Sequence, residues 1–134
     1  MLLKNRRIFI VEDNVTNRSV MQLLLEQQGA VIAFERWGNE TNQRLKAFAP
    51  VDIILLDLMF PNNVTGYEIF DRIRELPEFN AVPIVAVSAS DSSTAIPLTR
   101  EKGFAGFISK PIKFAQFPQQ IADLIAGKNV WVHE

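Results

Sequence analysis

Four apolar runs in this 134-residue chain end in residues that could share one reaction. Glu12 and Asp13 follow Ile8-Phe9-Ile10-Val11, and Asp57 follows Val51-Asp52-Ile53-Ile54-Leu55-Leu56. Ser88 closes Ile84-Val85-Ala86-Val87, and Lys110-Pro111 follow Phe107-Ile108-Ser109. As neighbouring parallel strands these runs would converge on one sheet edge, where ligands bind in open α/β folds. Three carboxylates brought together repel one another, so the site must either raise a pKa or recruit a cation. Magnesium is the expected cation, because it takes oxygen ligands octahedrally and keeps several waters. Asp13 and Asp57 are the expected direct ligands, with Glu12 acting through water. A carboxylate can also be the nucleophile in phosphoryl transfer, where the protein mainly positions groups and neutralises charge. Asp57, on the middle run, is the candidate nucleophile; Lys110 would pair with one phosphoryl oxygen and the Ser88 hydroxyl would donate to another.

Each of these residues alone has a plain structural use. An Asp ending a strand forms turns, and Glu12-Asp13 could simply start a helix through its dipole. Ser88 alone reads as a structural hydroxyl and Lys110 alone as a solvated charge. What sets them apart is that separate strand ends carry the required types together.

The elements that must position them alternate, apolar runs of four to six residues with longer segments of helical spacing. That is the pattern of a parallel sheet covered on both faces. The first strand is expected at about Arg7 to Val11 and the first helix from near Val15 to Gln28, stopped by Gly29. The second strand is Ala30 to Phe34, and the mostly polar second helix, near Asn39 to Phe48, has only Leu45 and Phe48 as anchors before Pro50. The third strand, Asp52 to Leu56, is apolar on both faces and so central. A loop from Met59 to Gly66 precedes an amphipathic segment, Tyr67 to Leu76. The fourth strand is Ile84 to Val87. Pro97 fits a first turn better than a helix interior, so the fourth helix is expected to start late or be irregular. The fifth strand is Gly106 to Ser109, and the last helix, about Ala115 to Ala126, presents Phe117, Ile121, Leu124 and Ile125.

Length sets one domain over residues 1–134, with residues 127–134 as a short tail. Trp131 is expected to pack back on the domain, and His133 to be a surface residue. Fourteen Lys and Arg against fifteen Asp and Glu give a net charge of −1, with no basic run to track nucleic acid or coat a membrane. No apolar stretch approaches the roughly 20 residues of a membrane span. Zero cysteines exclude disulfides and thiolate chemistry. The expected compartment is the cytoplasm, where the sequons at Asn14, Asn17, Asn39 and Asn63 would be coincidental.

Taken together, the chain resembles the receiver domain of two-component response regulators over nearly its whole length. The resemblance is carried by Val11-Glu12-Asp13-Asn14, Asn17-Arg18, Leu24-Leu25, Gly29, Leu56-Asp57-Leu58, Pro61, Gly66, Glu68, Arg72-Ile73-Arg74, Val85-Ala86-Val87-Ser88-Ala89 and Lys110-Pro111. It implies a five-stranded, flavodoxin-like sheet of order 2-1-3-4-5 in a three-layer sandwich. It implies phosphorylation of Asp57 from a histidine kinase or phosphotransfer protein, and a Mg2+ (or Mn2+) shell that includes the Met59 carbonyl. Ser88 and Phe107 would be the switch pair, reshaping the face of helix four, strand five and helix five toward a downstream protein target. Met59 and Ser90 stand where similar receivers tune hydrolysis of the acyl phosphate. The resemblance also implies a stand-alone phosphoacceptor switch rather than a conventional enzyme, with homodimerisation left open. The chain departs from the pattern in Phe60, where Met is usual, in the loop that follows, which lacks the usual acidic residue, and in Phe107, which lacks a tyrosine hydroxyl.

Three competing readings are testable. An aspartyl-nucleophile phosphatase would carry a second acid two residues after Asp13, where this chain has Val15. A nucleotide or flavin binder would need a G-x-G-x-x-G or P-loop signature, and neither is present. The third is a receiver-like interaction module that works without phosphorylation, against which the acidic triad, Ser88 and Lys110 argue.

Overall fold

The computed structural model describes residues 1–133. Six parallel strands form one sheet: β1 (Arg7–Val11), β2 (Val31–Glu35), β3 (Ile53–Leu56), β4 (Ile84–Ser88), β5 (Gly106–Ser109) and β6 (Val130–Val132), in the order β2-β1-β3-β4-β5-β6. The helices are α1 (Val15–Glu26), α2 (Thr41–Phe48), α3 (Gly66–Arg74), α4 (Ser92–Lys102) and α5 (Phe117–Ile125). The expected order holds over the first five strands. The sixth strand is an addition: where the sequence predicts a tail, Val130–Val132 pair with Gly106, Phe107 and Ile108 of β5.

Side-chain alternation along the strands divides the core into two layers. Phe9 and Val11, Ile54 and Leu56, Ile84 and Ala86, and Phe107 join one cluster with residues of α2, α3 and α4. Ile8 and Ile10, Ile53 and Leu55, Val85 and Val87, and Ile108 join the other with residues of α1 and α5. Burial on both faces is why these strands read as continuous apolar runs.

Helix starts set where the strand ends open. Asn14 caps α1, its side-chain oxygen accepting from the Asn17 N–H at 2.9 Å. Thr65 caps α3 through the Glu68 N–H at 3.3 Å. The expectation for α4 is corrected: it starts directly at Ser92 and runs through Pro97. Asp91 caps it, accepting from the Ser93 N–H at 3.1 Å and the Ser93 hydroxyl at 2.9 Å. Buried Ala95, Ile96 and Thr99 anchor it, while Ser93 and Pro97 are both exposed, so the helical bond that proline cannot make is lost on the solvated side. Gly103, at φ 108°, ends it with the left-handed turn a glycine adopts without strain.

The polar α2 is held from outside. Arg7 of β1 donates to the Phe48 carbonyl at 2.7 Å and the Pro50 carbonyl at 2.9 Å, with its guanidinium 4.1 Å from the Phe48 ring centroid. At its other end no side chain of its own caps the helix; the Glu40 N–H and the Thr41 hydroxyl both donate to Glu35.

Candidate functional site

The carboxyl ends of β1, β3, β4 and β5 open into one cleft lined by Glu12, Asp13, Asp57, Met59, Ser88, Ser90 and Lys110. Every cleft residue singled out in the sequence is therefore brought to one place. Phe107 is not in it: it lies wholly buried among the residues beneath α4.

Asp57 is nearly buried, 8% exposed. One of its oxygens accepts from the Leu58 N–H at 2.7 Å, and the other lies 3.3 Å from Lys110 Nζ. One oxygen is thus pinned by the backbone and the other faces the cation. Lys110 also forms an ion pair with Glu12, and its backbone N–H donates to the Ser88 carbonyl at 3.0 Å. The ammonium bridges two carboxylates that would otherwise repel.

That compensation is incomplete for Glu12. Its carboxyl is pushed above the ordinary glutamate value, first by burial and then by the charge of Asp57, against the opposing pull of Lys110 and the Asn14 N–H. The site accordingly gains from a further positive charge. Oxygen atoms of Glu12, Asp13 and Asp57 all lie within 4.8 Å of one another.

Met59 follows along the cleft wall. It faces Thr65 in an isolated antiparallel bridge whose hydrogen bonds are made by its neighbours, Phe60 N–H to Val64 at 3.2 Å and Gly66 N–H to Leu58 at 2.9 Å. In that geometry the Met59 carbonyl is not used by the bridge and points away from it. Carboxylates plus a carbonyl suit a hard divalent cation such as Mg2+. The altered loop packs without disrupting this arrangement, since Phe60 is 7% exposed and sits in the core.

Ser88 and Ser90 form the remaining wall. Their hydroxyls lie 3.0 Å apart, and the Ser90 N–H donates to Ser88 Oγ at 3.2 Å. With its oxygen accepting from the backbone, the Ser88 hydroxyl proton is free to be donated to Ser90 or into the cleft. The Met59 side chain, 68% exposed, stands at the mouth and offers no hydrogen-bonding group to a water.

Sequence reasoning gave no role to Glu35, and to Arg18 none beyond its place in the resemblance. Glu35 is 3% exposed at the end of β2, and its oxygens accept from the N–H groups of Trp37, Gly38 and Glu40 and from the Thr41 hydroxyl. The Arg18 guanidinium sits over the Phe34 ring, 3.9 Å from its centroid, with Glu12 and Arg36 close enough to act on its charge. No sequence signal marks their contacts, because the partners come from loop backbone and a neighbouring strand.

Comparison with known proteins agrees with this geometry. A family model described as the response regulator receiver domain matches residues 8–122. The polar-differentiation response regulator DivK of Brucella ovis is 30% identical over 116 residues, 87% of this chain and 93% of that protein. The CAI-1 autoinducer sensor kinase/phosphatase CqsS of Vibrio cholerae is 33% identical over 107 residues, 79% of this chain but 15% of the kinase's length. Among solved structures, the receiver domain of the sensor histidine kinase PA1611 of Pseudomonas aeruginosa has a TM-score of 0.78 at 26% identity, covering 92% of this chain and 99% of that one. That structure holds a magnesium ion coordinated in its active-site cleft. A response regulator of Chloroflexus aurantiacus shares the fold, with a TM-score of 0.83 at 23% identity, covering 92% of this chain and 99% of that one. No helix among the described residues is long and apolar enough to cross a membrane.

Proposed function

The chain belongs to the response regulator receiver domain family, and from that membership we propose that it accepts a phosphoryl group on Asp57 and passes the signal on by protein contact. The observation that carries this reading is the pairing at Asp57: one oxygen fixed by the Leu58 N–H, the other turned to the Lys110 ammonium in the cleft. The donor is a phosphohistidine of a cytoplasmic histidine kinase or phosphotransfer protein. The Asp57 oxygen that faces Lys110 attacks phosphorus, the phosphorus–nitrogen bond breaks, and the histidine ring leaves with that electron pair.

Lys110 moves from its two carboxylates to a phosphoryl oxygen, and the Ser88 hydroxyl turns from Ser90 to another. Asp13, Asp57 and the Met59 carbonyl would hold a Mg2+ or Mn2+ ion, with Glu12 acting through water, and the ion would supply the charge neutralisation that lets two anions approach. Phe114, 61% exposed, with Val20 and Met21, lines an apolar groove running beside Lys110, which supports a protein donor at this rim. Beyond this single self-directed transfer and slow loss of the phosphoryl group, no enzymatic activity is assigned to the domain.

The reading is tested by intact mass after incubation with Mg2+ and acetyl phosphate. A gain of one phosphoryl group is expected. No gain, with Mg2+ binding shown separately, would favour an interaction module that works without phosphorylation.

Two further outcomes follow from the cleft. Because the folded pKa of Glu12 is raised, the metal-free fold is favoured by its protonation, an advantage present below the ordinary value of 4.5 and lost as pH rises through the raised one. A cation reverses the sign, since it needs the carboxylate. The rise in Tm on adding Mg2+ is therefore larger at pH 7.5 than at pH 5, read by thermal unfolding with and without the metal.

Met59 and Ser90 govern how long the acyl phosphate lasts. An apolar side chain at the cleft mouth cannot orient the attacking water, so the phosphoryl state is long-lived. Met59→Asn shortens its half-life severalfold, followed by intact mass after removal of the donor; an unchanged half-life would remove Met59 from this role.

A further inference from the structure

In this chain the edge of β5, between α4 and α5, is occupied by β6. The fit is close: Gly106 stands opposite Val130, and a Cβ at Gly106 would run into the Val130 carbonyl oxygen. Phe107 stands opposite Trp131 in the register, and the Trp131 ring lies under the Arg100 guanidinium, 4.6 Å from it. Trp131 is partly buried against the same cluster that contains Ile96, Phe104 and Phe107.

β6 is thus held by its ladder with β5, by Val130 and Val132 on the cluster beneath α5, and on the other face by Arg100 of α4, whose opposite end is tied to the cleft. Its cap, Asp91, directly follows the Ser88–Ser90 segment whose two hydroxyls share a hydrogen bond. Eleven helical residues between them make a lever of about 16 Å. Phe107 itself is wholly buried beneath this assembly. β6, by contrast, has only three residues, all partly buried, and follows Gly127, whose φ is 94° and beside which a Cβ would meet nothing. A short, partly exposed edge strand belongs to the low-stability end of a fold.

We propose that β6 is a displaceable strap over β5, clasped on the α4 side by the Arg100–Trp131 stack and loosened there when Ser88 turns toward a phosphoryl group on Asp57. The holding contact stands on geometry alone; its release rests on the function proposed above. Any partner that reads β5 must then compete with Val130–Val132. The partner it fits is an extended segment with an aromatic residue flanked by aliphatic ones, because that is what β6 presents.

Amide hydrogen exchange of the full chain tests both halves. In Arg100→Ala without phosphorylation, the amides of Val130 and Val132, which face β5, are expected to exchange about threefold faster, the share lost with one partly exposed cation–π contact. Amides of β1 and β3 stay unchanged and report that the variant is folded. In the wild-type chain with Mg2+ and acetyl phosphate, the same residues are expected to exchange about tenfold faster in the fraction that intact mass identifies as phosphorylated. Trp131 fluorescence, read in a Trp37→Phe background, follows the same release. Unchanged protection in Arg100→Ala overturns the strap, and equal protection in the two mass fractions overturns its coupling to Asp57. A chain that gains no mass refutes the proposed function and the coupling with it, while Arg100→Ala still decides the strap.

Discussion

Asp57→Asn is expected to gain no mass in Mg2+ and acetyl phosphate, against one phosphoryl group in the wild-type chain. The amide keeps the shape of the carboxylate and can still accept from the Leu58 N–H, now at 2.7 Å. It has no nucleophilic oxygen to offer phosphorus. The same change removes a negative charge that pushes the Glu12 pKa upward, so Glu12 moves back toward an ordinary glutamate and Lys110 keeps one partner. Metal-free Asp57→Asn should therefore melt no lower than the wild-type chain at neutral pH. This separates loss of the acceptor from loss of the fold. Phosphoryl uptake by the variant would move the acceptor elsewhere, with Asp13 the first place to look.

Gly66→Ala is expected to cost about 2 kcal/mol or more and to slow phosphoryl uptake at the same time. A Cβ built at Gly66 would overlap the Asp57 carbonyl oxygen and lie 2.8 Å from Leu58 Cα. Both are backbone atoms, so no side chain can swing away to make room. Relief requires moving the first turn of α3 or the strand end that carries Asp57. Gly103→Ala is the contrast: its φ of 108° penalises a side chain by roughly 1–2 kcal/mol, yet the nearest atom there is a Phe70 ring carbon at 3.6 Å. That variant should lose stability without changing the uptake rate. Thermal unfolding and the time course of mass gain read the two effects separately.

Glu35 and Asp57 show what can and cannot be read from sequence. Each is an acid at the end of a strand, and in one-dimensional terms they are alike. The Glu35 carboxylate is consumed by its own loop, whereas Asp57 turns an oxygen into the cleft toward Lys110. The difference lies in where β2 and β3 sit in the sheet. The central strands were legible because burial on both faces leaves an unbroken apolar run, and the cleft residues because several strand ends carried complementary chemistry together. β6 was not: three residues have no periodicity, and Val130–Val132 become a strand only through pairing with β5. The unbroken α4 was not legible either, because Pro97 looks disruptive until its helical partner position, Ser93, is seen on the solvated side. The loop after Asp57 departs from the family pattern, yet burial of Phe60 absorbs the change.

The way Arg7 grips the end of α2 has a practical consequence. That helix is fastened by main-chain carbonyls and by the single buried aliphatic Leu45, so its outward positions carry little of the fold. Lys46 is exposed there, and the chain has no cysteine. A cysteine introduced at Lys46 would be the sole thiol in the molecule, so a dye or spin label attached to it needs no prior removal of native thiols. Paired with Trp131 as the second reporter in the Trp37→Phe background, such a label turns the strap into a distance that can be followed in real time.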